Sequence, residues 1–501
     1  MPKKSIVFML ALLWCAASAL AQQPQSQPDD KSLPGKVQRL NQAPVNPEIL
    51  KVTLPHVKEA TLPNGLSILV LERHKLPTVN FALWIKSGAL TDPADQPGLA
   101  SFTADMLRDG TAKRPSTQIA SELDDLGATF NAGAPFGANV TAIQASGLSS
   151  SADKLMELVS DMVLNPSFPA DELERFRRQE KTRLVQMRSN PAFLARERFS
   201  QAVYGSFPAA IQSPTADSVT KATPEALKGF HDKYYTPGNA ILAISGDVTM
   251  EQATALAKKY FGEWKGAPLP ASKAAEMPPP AAAKVYLVDR PGSAQSNILA
   301  GGLSLRRSDP DYIALSVMNR VLGGGSAARL FSNLREDKGY TYGAYSRITS
   351  DVYPGTFVAN TEVRNAVTDG SLHELMYELK RLRDEKVPVA ELEECKRSIV
   401  SRFALSLQNP VEIINSWLTV KYYGLPADYW DHYSDQVAKI DVDTVQRMAK
   451  KYIDLDHLQI VVVGDAKEVR AAVNKYGTVL VFDTEGKPVE AKPETPAGGG
   501  K

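Results

Sequence analysis

The strongest constraint on this chain is that its second half restates its first. Pro169-Ala-Asp-Glu-Leu-Glu174 is answered by Pro388-Val-Ala-Glu-Leu-Glu393, Asn190-Pro191 by Asn409-Pro410, and Val203-Tyr-Gly205 by Tyr422-Tyr-Gly424, all at one offset of 219 residues. The run from Ile241 to Asp247 is answered by Ile460 to Asp465 at nearly the same distance. A period this long marks a duplicated domain, since solenoid repeats run about 20–50 residues. Each half opens on strands and continues into long amphipathic helices, which predicts an α+β fold with helices over one face of a sheet.

In chain order, residues 1–21 read as a signal peptide: Lys3 and Lys4 precede an apolar run, Ile6 to Leu20, closed by Ala19-Leu-Ala21. The run is short for a bilayer span, and no second one follows, so the mature chain is expected to be exported without a membrane span. The expected address is the periplasm, with secretion as the other destination. Residues 22–50 are Gln-, Pro- and Asp-rich and read as a mobile leader, with order beginning near Ala60. The first domain is expected over 51–265, a Pro/Ala-rich linker over 266–284, the second domain over 285–482 and a disordered tail over 483–501. Lys plus Arg number 57 and Asp plus Glu 56, and there is no basic run interleaved with aromatics, which argues against nucleic acid as a partner. Once Cys15 leaves with the signal peptide, Cys395 is the one remaining cysteine, so no intrachain disulfide can form.

The stretch from Gly323 to Tyr345 reads as the working surface. Gly323, Gly324 and Gly325 free the backbone for positive φ and for close approach by another chain. Ala327, Leu330, Phe331 and Leu334 then fall at helical spacing, predicting a short amphipathic helix with Arg335 near its end and Gly339 as its stop. Tyr340 to Tyr345 predicts the start of a strand, with Tyr342 seven residues beyond Arg335. A guanidinium and a phenol at one helix-to-strand turn are two donors for a carbonyl or carboxylate oxygen. The plainer alternative is a surface Arg and a half-buried strand Tyr.

Two α+β halves, the start Leu62-Pro-Asn-Gly-Leu66, Val288-Asp-Arg-Pro-Gly292 with Gln295-Ser296, and the run Leu322 to Glu336 together resemble the M16 metallopeptidases, the pitrilysin and mitochondrial-processing-peptidase family. The resemblance covers about residues 55–482. It implies two homologous α/β-sandwich domains of the LuxS/mitochondrial-processing-peptidase type, arranged as a clamshell. Active members hold zinc with His-x-x-Glu-His on the first helix and a Glu on a later one. Here Gly98-Leu-Ala-Ser-Phe-Thr-Ala-Asp-Met106 stands at that place, so the ligand positions become Ser101 and Asp105 and the base position Ala104. The third ligand falls near Thr182, with Glu174 and Glu180 on the same helix. One carboxylate and neutral hydroxyls make a poor zinc cage. None of His56, His74, His231, His373, His432 and His457 has a second histidine three to five residues on. Ser101 beside Asp105 lacks a histidine to act as base for a nucleophile.

The resemblance also implies roles for Arg335 and Tyr342, since active members bind the scissile carbonyl with an Arg and a Tyr seven residues apart. Asn131 and Ala132 match the family's strand near the substrate, where an extended peptide adds to a sheet edge; the three glycines are expected to bind substrate as well. The expected function is a zinc-free subunit of a heteromeric peptidase. Its partners would be a homologue carrying the zinc motif and peptide substrates, with no cofactor in this chain. A self-sufficient peptidase with an unusual metal site and an inactive scaffold or peptide binder are the alternatives.

Overall fold

The computed structural model describes residues 48–266 and 277–489. The expected signal peptide, nearly all of the leader, the middle of the linker and the end of the tail lie outside these residues.

The first half contains β1 (Lys58–Thr61), β2 (Ser67–Glu72), β3 (Thr78–Ile85), β4 (Thr129–Gly133), β5 (Thr141–Leu148) and β6 (Ala240–Gly246), in the sheet order β1-β2-β6-β3-β5-β4. The second contains β7 (Lys284–Asp289), β8 (Gln295–Leu303), β9 (Thr341–Ile348), β10 (Thr356–Arg364), β11 (Gln459–Gly464) and β12 (Val479–Phe482), in the order β12-β7-β11-β8-β10-β9. In both sheets the strand made last among the shared five is inserted centrally, β6 parallel to β2 and β11 parallel to β7. The outer strands differ: β1 runs antiparallel to β2, β12 parallel to β7.

Helices of the first half are α1 (Leu99–Asp105), α2 (Ser116–Asp125), α3 (Ala152–Leu164), α4 (Ala170–Ser189), α5 (Pro191–Tyr204), α6 (Ala216–Lys221), α7 (Pro224–Tyr234) and α8 (Met250–Phe261). Those of the second are α9 (Tyr312–Leu322), α10 (Arg329–Phe331), α11 (Thr368–Asp384), α12 (Val389–Ser406), α13 (Pro410–Tyr423), α14 (Tyr433–Ala438), α15 (Val442–Tyr452) and α16 (Ala466–Val473). One face of each sheet is covered by helices of its own half: Leu83 and Ile85 share a core with Phe102, Met106, Leu155 and Phe261.

The expectation of helices on one face is incomplete. Every residue of β6 and of β11 is buried, the pattern of a strand covered on both sides. The second cover is a helix from the opposite half. Ile413, Trp417 and Leu418 of α13 pack on Leu69, Leu71, Ile241 and Ala243 of the first sheet. Leu194, Phe199 and Val203 of α5 pack on Tyr286, Val288, Leu299, Val461 and Val463 of the second. The sequence marks of the repeat are the ends of these exchanged helices. The Asn190 side chain accepts from the backbone N–H of Ala192 at 2.9 Å, and that of Asn409 from Val411 at 3.0 Å, each with proline at the first helical position. Gly205 and Gly424 close them with φ of 56° and 62°, which a side chain would resist.

Order also begins before Ala60 and continues past Phe482. Leu54 is fully buried beside Trp417, whose Nε1 donates to the Pro55 carbonyl at 2.9 Å. Residues 483–489, expected to be tail, form a turn closed by the Val489 N–H on the Val481 carbonyl. The Arg198 guanidinium lies 3.5 Å from the Phe482 ring centre and donates to the Gly486 carbonyl, fixing that turn on α5.

Candidate functional site

Arg335 and Tyr342 come together. After α10 the chain winds on as a π-helical segment, Ser332–Asp337, where the spacing predicts an ordinary amphipathic helix. The wider turn shows in the bond from the Lys338 N–H to the Asn333 carbonyl at 3.0 Å, and Gly339, at φ 63°, ends the segment as expected. Leu334 is fully buried and anchors the segment, while the Arg335 guanidinium carbon sits 4.7 Å from the Phe331 ring centre and 4.9 Å from that of Tyr342. Held between two rings, the guanidinium has its Nε 3.4 Å from the Glu336 carboxylate, while its two terminal nitrogens make no hydrogen bond among the described residues. Tyr342 is 86% exposed and its hydroxyl has no hydrogen-bond partner among the described residues.

The three glycines do not use the backbone freedom expected of them. None of them has positive φ. A Cβ on Gly323 would stand 2.3 Å from the Ser346 backbone nitrogen, and one on Gly325 2.3 Å from the Arg320 guanidinium. What comes close is the chain's own β9 and Arg320. Gly323 and Gly324 nevertheless line a cavity of about 1160 Å³ over the inner face of the second sheet, with Tyr342 in its wall. Asn131 and Ala132 lie on β4, the outer strand of the first sheet, and do not line this cavity.

On α1, the Ser101 hydroxyl donates to the Asp105 carboxylate at 3.3 Å and Ala104 is fully buried. Burial pushes the Asp105 carboxyl up to about 6, with Arg183 opposing the rise and Glu180 and Asp109 adding to it. Glu180, 5% exposed, is gripped by Arg183, whose Nε donates to it at 2.7 Å. Thr182 is exposed and donates to the Arg178 carbonyl of its own helix, and Glu174 is paired with Arg177. Five of the histidines are occupied: His231 is buried against the Val163 carbonyl, and His56, His74, His432 and His457 pair with Asp431, Asp247, Asp428 and Asp454, while His373 is exposed on α11.

Two family profiles match the chain, "Insulinase (Peptidase family M16)" over residues 68–213 and "Peptidase M16 inactive domain" over residues 221–399. The chain belongs to the M16 peptidase family. Among M16 relatives, an uncharacterized zinc protease of Mycobacterium leprae is 26% identical over 420 residues, spanning 79% of this chain and 89% of that protein. The uncharacterized zinc protease YmxG of Bacillus subtilis is 23% identical, over 70% of this chain and 85% of its own. The crystal structure of a peptidase M16 inactive domain from Pseudomonas fluorescens superposes with a TM-score of 0.76 at 29% identity, covering 81% of this chain and 98% of that one. A protease from Helicobacter pylori shares the fold with a TM-score of 0.75 at 21% identity, over 82% of this chain and 100% of its own.

In this M16 chain the residues at the zinc positions do not fit the ion. They provide a carboxyl that burial holds toward its neutral form, a hydroxyl bonded to that carboxyl, and an exposed hydroxyl turned onto its own helix. The cation beside them is Arg183. Among the described residues no group of three or more His, Cys, Asp or Glu is arranged to hold a metal. The sequence signal for the cavity's arginines is the alternation of Asn360, Glu362 and Arg364 along β10 with period two, the mark of one sheet face exposed.

Proposed function

We propose that this M16 chain is a zinc-free subunit that lends Arg335 and Tyr342 to a peptidase whose zinc sits on a second M16 chain. The observation that carries the reading is the pair itself: a guanidinium held between Phe331 and Tyr342 beside an unpartnered, exposed phenol at the wall of a cavity. Two such donors stabilise the negative charge that develops on a carbonyl oxygen under attack. The lysine-led apolar amino terminus supports export, with the periplasm as the expected address and secretion as the other destination. The name of zinc protease carried by the relatives favours a self-sufficient enzyme, and the residues at Ser101, Ala104, Asp105 and Thr182 argue against it here.

The test is co-expression with an M16 chain bearing His-x-x-Glu-His. The two should co-elute and cleave unfolded peptides, and Arg335→Ala or Tyr342→Phe should lower turnover about 10²–10³-fold with the complex intact, the usual cost of one lost oxyanion donor. Two separate elution peaks with no gain over the partner alone would leave the chain a scaffold. Zinc at one equivalent in the isolated chain, with chelator-sensitive cleavage, would return it to the self-sufficient class.

A further inference from the structure

The cavity over the second sheet carries three arginines against one carboxylate. Its charged lining consists of Arg196 from α5, Arg347 from β9, Arg364 from β10 and Glu362. None of the three arginines makes a hydrogen bond or ion pair among the described residues, unlike Arg114, Arg183, Arg188 and Arg329, which all grip carboxylates. Asn297, on the same wall, is 6% exposed, and its side-chain N–H2 has no partner. A buried donor left unpaired is costly, so its place is one where a ligand acceptor is to be expected. Against these donors the lining sets the Glu362 carboxylate and the unpartnered Asn319 side-chain oxygen.

The register fixes where the charges stand. Arg347 is opposite Val358 on β10, and Arg364 is six residues further along the same strand, opposite Gln295. Six residues of strand span about 20 Å. Glu362 lies between these two posts, opposite Asn297. An extended peptide over this face would therefore meet positive charge at its ends and negative charge nearer its middle.

We infer that this cavity binds an extended peptide through carboxylates about six residues apart, one at Arg347 and one at Arg364, with Arg196 above and the Asn297 amide donating from the floor. It deepens the proposed function by naming acidic peptides as the substrate class of the same chamber wall. Guanidinium–carboxylate pairs are the strong, directional form of ion pair, and neither post is ion-paired among the described residues, although Glu362 stands two residues from Arg364. The carboxylate has two possible sources, an acidic side chain or the free carboxyl end of the peptide.

The experiment measures binding to the full chain alone, without a zinc-bearing partner, so that failure of subunit assembly leaves it unaffected. Fluorescein-labelled twelve-residue Gly/Ser peptides carrying two Glu, two Gln or two Lys six residues apart, each with free and amidated C-terminus, are titrated by anisotropy at low and at physiological salt. The Glu peptide should bind at least about tenfold more tightly than the Lys peptide, with the margin shrinking as salt screens it. Arg347→Gln and Arg364→Gln should each remove most of that margin, and Glu362→Gln should widen it; all three sites are exposed, and circular dichroism checks the fold. A preference that follows the free C-terminus instead of Glu would keep the carboxylate assignment and name the chain end as its source. Equal affinity for Glu and Lys peptides, or a Glu preference unchanged in both arginine variants, would overturn the inference.

Discussion

Replacing Asp105 by Asn asks whether the remnant of a metal position holds its carboxylate against that group's preference. The carboxyl, ordinarily near 3.8, is pushed up to about 6, chiefly by burial, with Arg183, Ser101, Glu180 and Asp109 facing it. Between those two pH values the folded chain keeps a proton that the unfolded chain has released, so stability falls as pH rises through the window. A gap of about two units at 1.36 kcal/mol each makes about 3 kcal/mol of destabilisation, fully present above about pH 6 and absent below about pH 4. Asp105→Asn removes the charge and little else. The variant should thus be more stable by about 2–3 kcal/mol at pH 7.5, with the gain shrinking toward zero at pH 4.5. The assay is urea unfolding by tryptophan fluorescence at steps across that range. Asp92, also pushed up to about 6 by burial, adds its own slope to both proteins and cancels in the difference. A variant less stable than the parent at pH 7.5, or a difference that does not vary with pH, would refute the reasoning, because it would mean that a cation stabilises the charged form.

Trp417→Ala should cost about 3–5 kcal/mol in the same unfolding assay, since it empties an interior site on the first sheet and frees the Pro55 carbonyl. Gly323→Ala, with its methyl 2.3 Å from a backbone nitrogen of β9, should destabilise by about 1–3 kcal/mol, whereas Gly127→Ser, with nothing near its missing side chain, should be limited by its positive φ alone. Arg335→Lys should not restore the turnover lost in Arg335→Ala in the reconstituted complex, because an ammonium lacks the planar fork; recovery above half of parental turnover would count against the pair acting as a carbonyl clamp.

Much of the architecture was legible because local signals and fold agree. Asn190-Pro191 and Asn409-Pro410 each start a helix, and Gly205 and Gly424 each stop one, so their common spacing revealed the duplication directly. The encounter of Arg335 and Tyr342 was legible for the same reason: one short helix, one stop at Gly339 and one strand put them side by side. What escaped is tertiary. Nothing in α13 says that Trp417 belongs to the other half's sheet, although the unbroken apolar runs of β6 and β11 do say that two covers are required. The glycines misled because freedom of φ and lack of a side chain are the same residue in sequence, and only the neighbours Ser346 and Arg320 distinguish them. Arg183 carries no metal-ligand signature in the sequence, yet it is the side-chain cation that stands beside Asp105 and grips Glu180.

The exchanged helices make the two halves depend on one another. A patch used by both partners in the same way, each lending the other an identical element, is the signature of a two-fold symmetric, domain-swapped dimer. Here the two partners are halves of one polypeptide. A single half standing alone would present the bare second face of its sheet, Leu69, Leu71 and Ile241 in one case and Val288, Val461 and Val463 in the other, to water. Each half therefore depends on the other for the second cover of its sheet, and a single chain makes that association independent of concentration. The same logic predicts that cutting the chain between residues 266 and 277 leaves two fragments that stay together, and that melting of the nicked protein shows one transition shared by both.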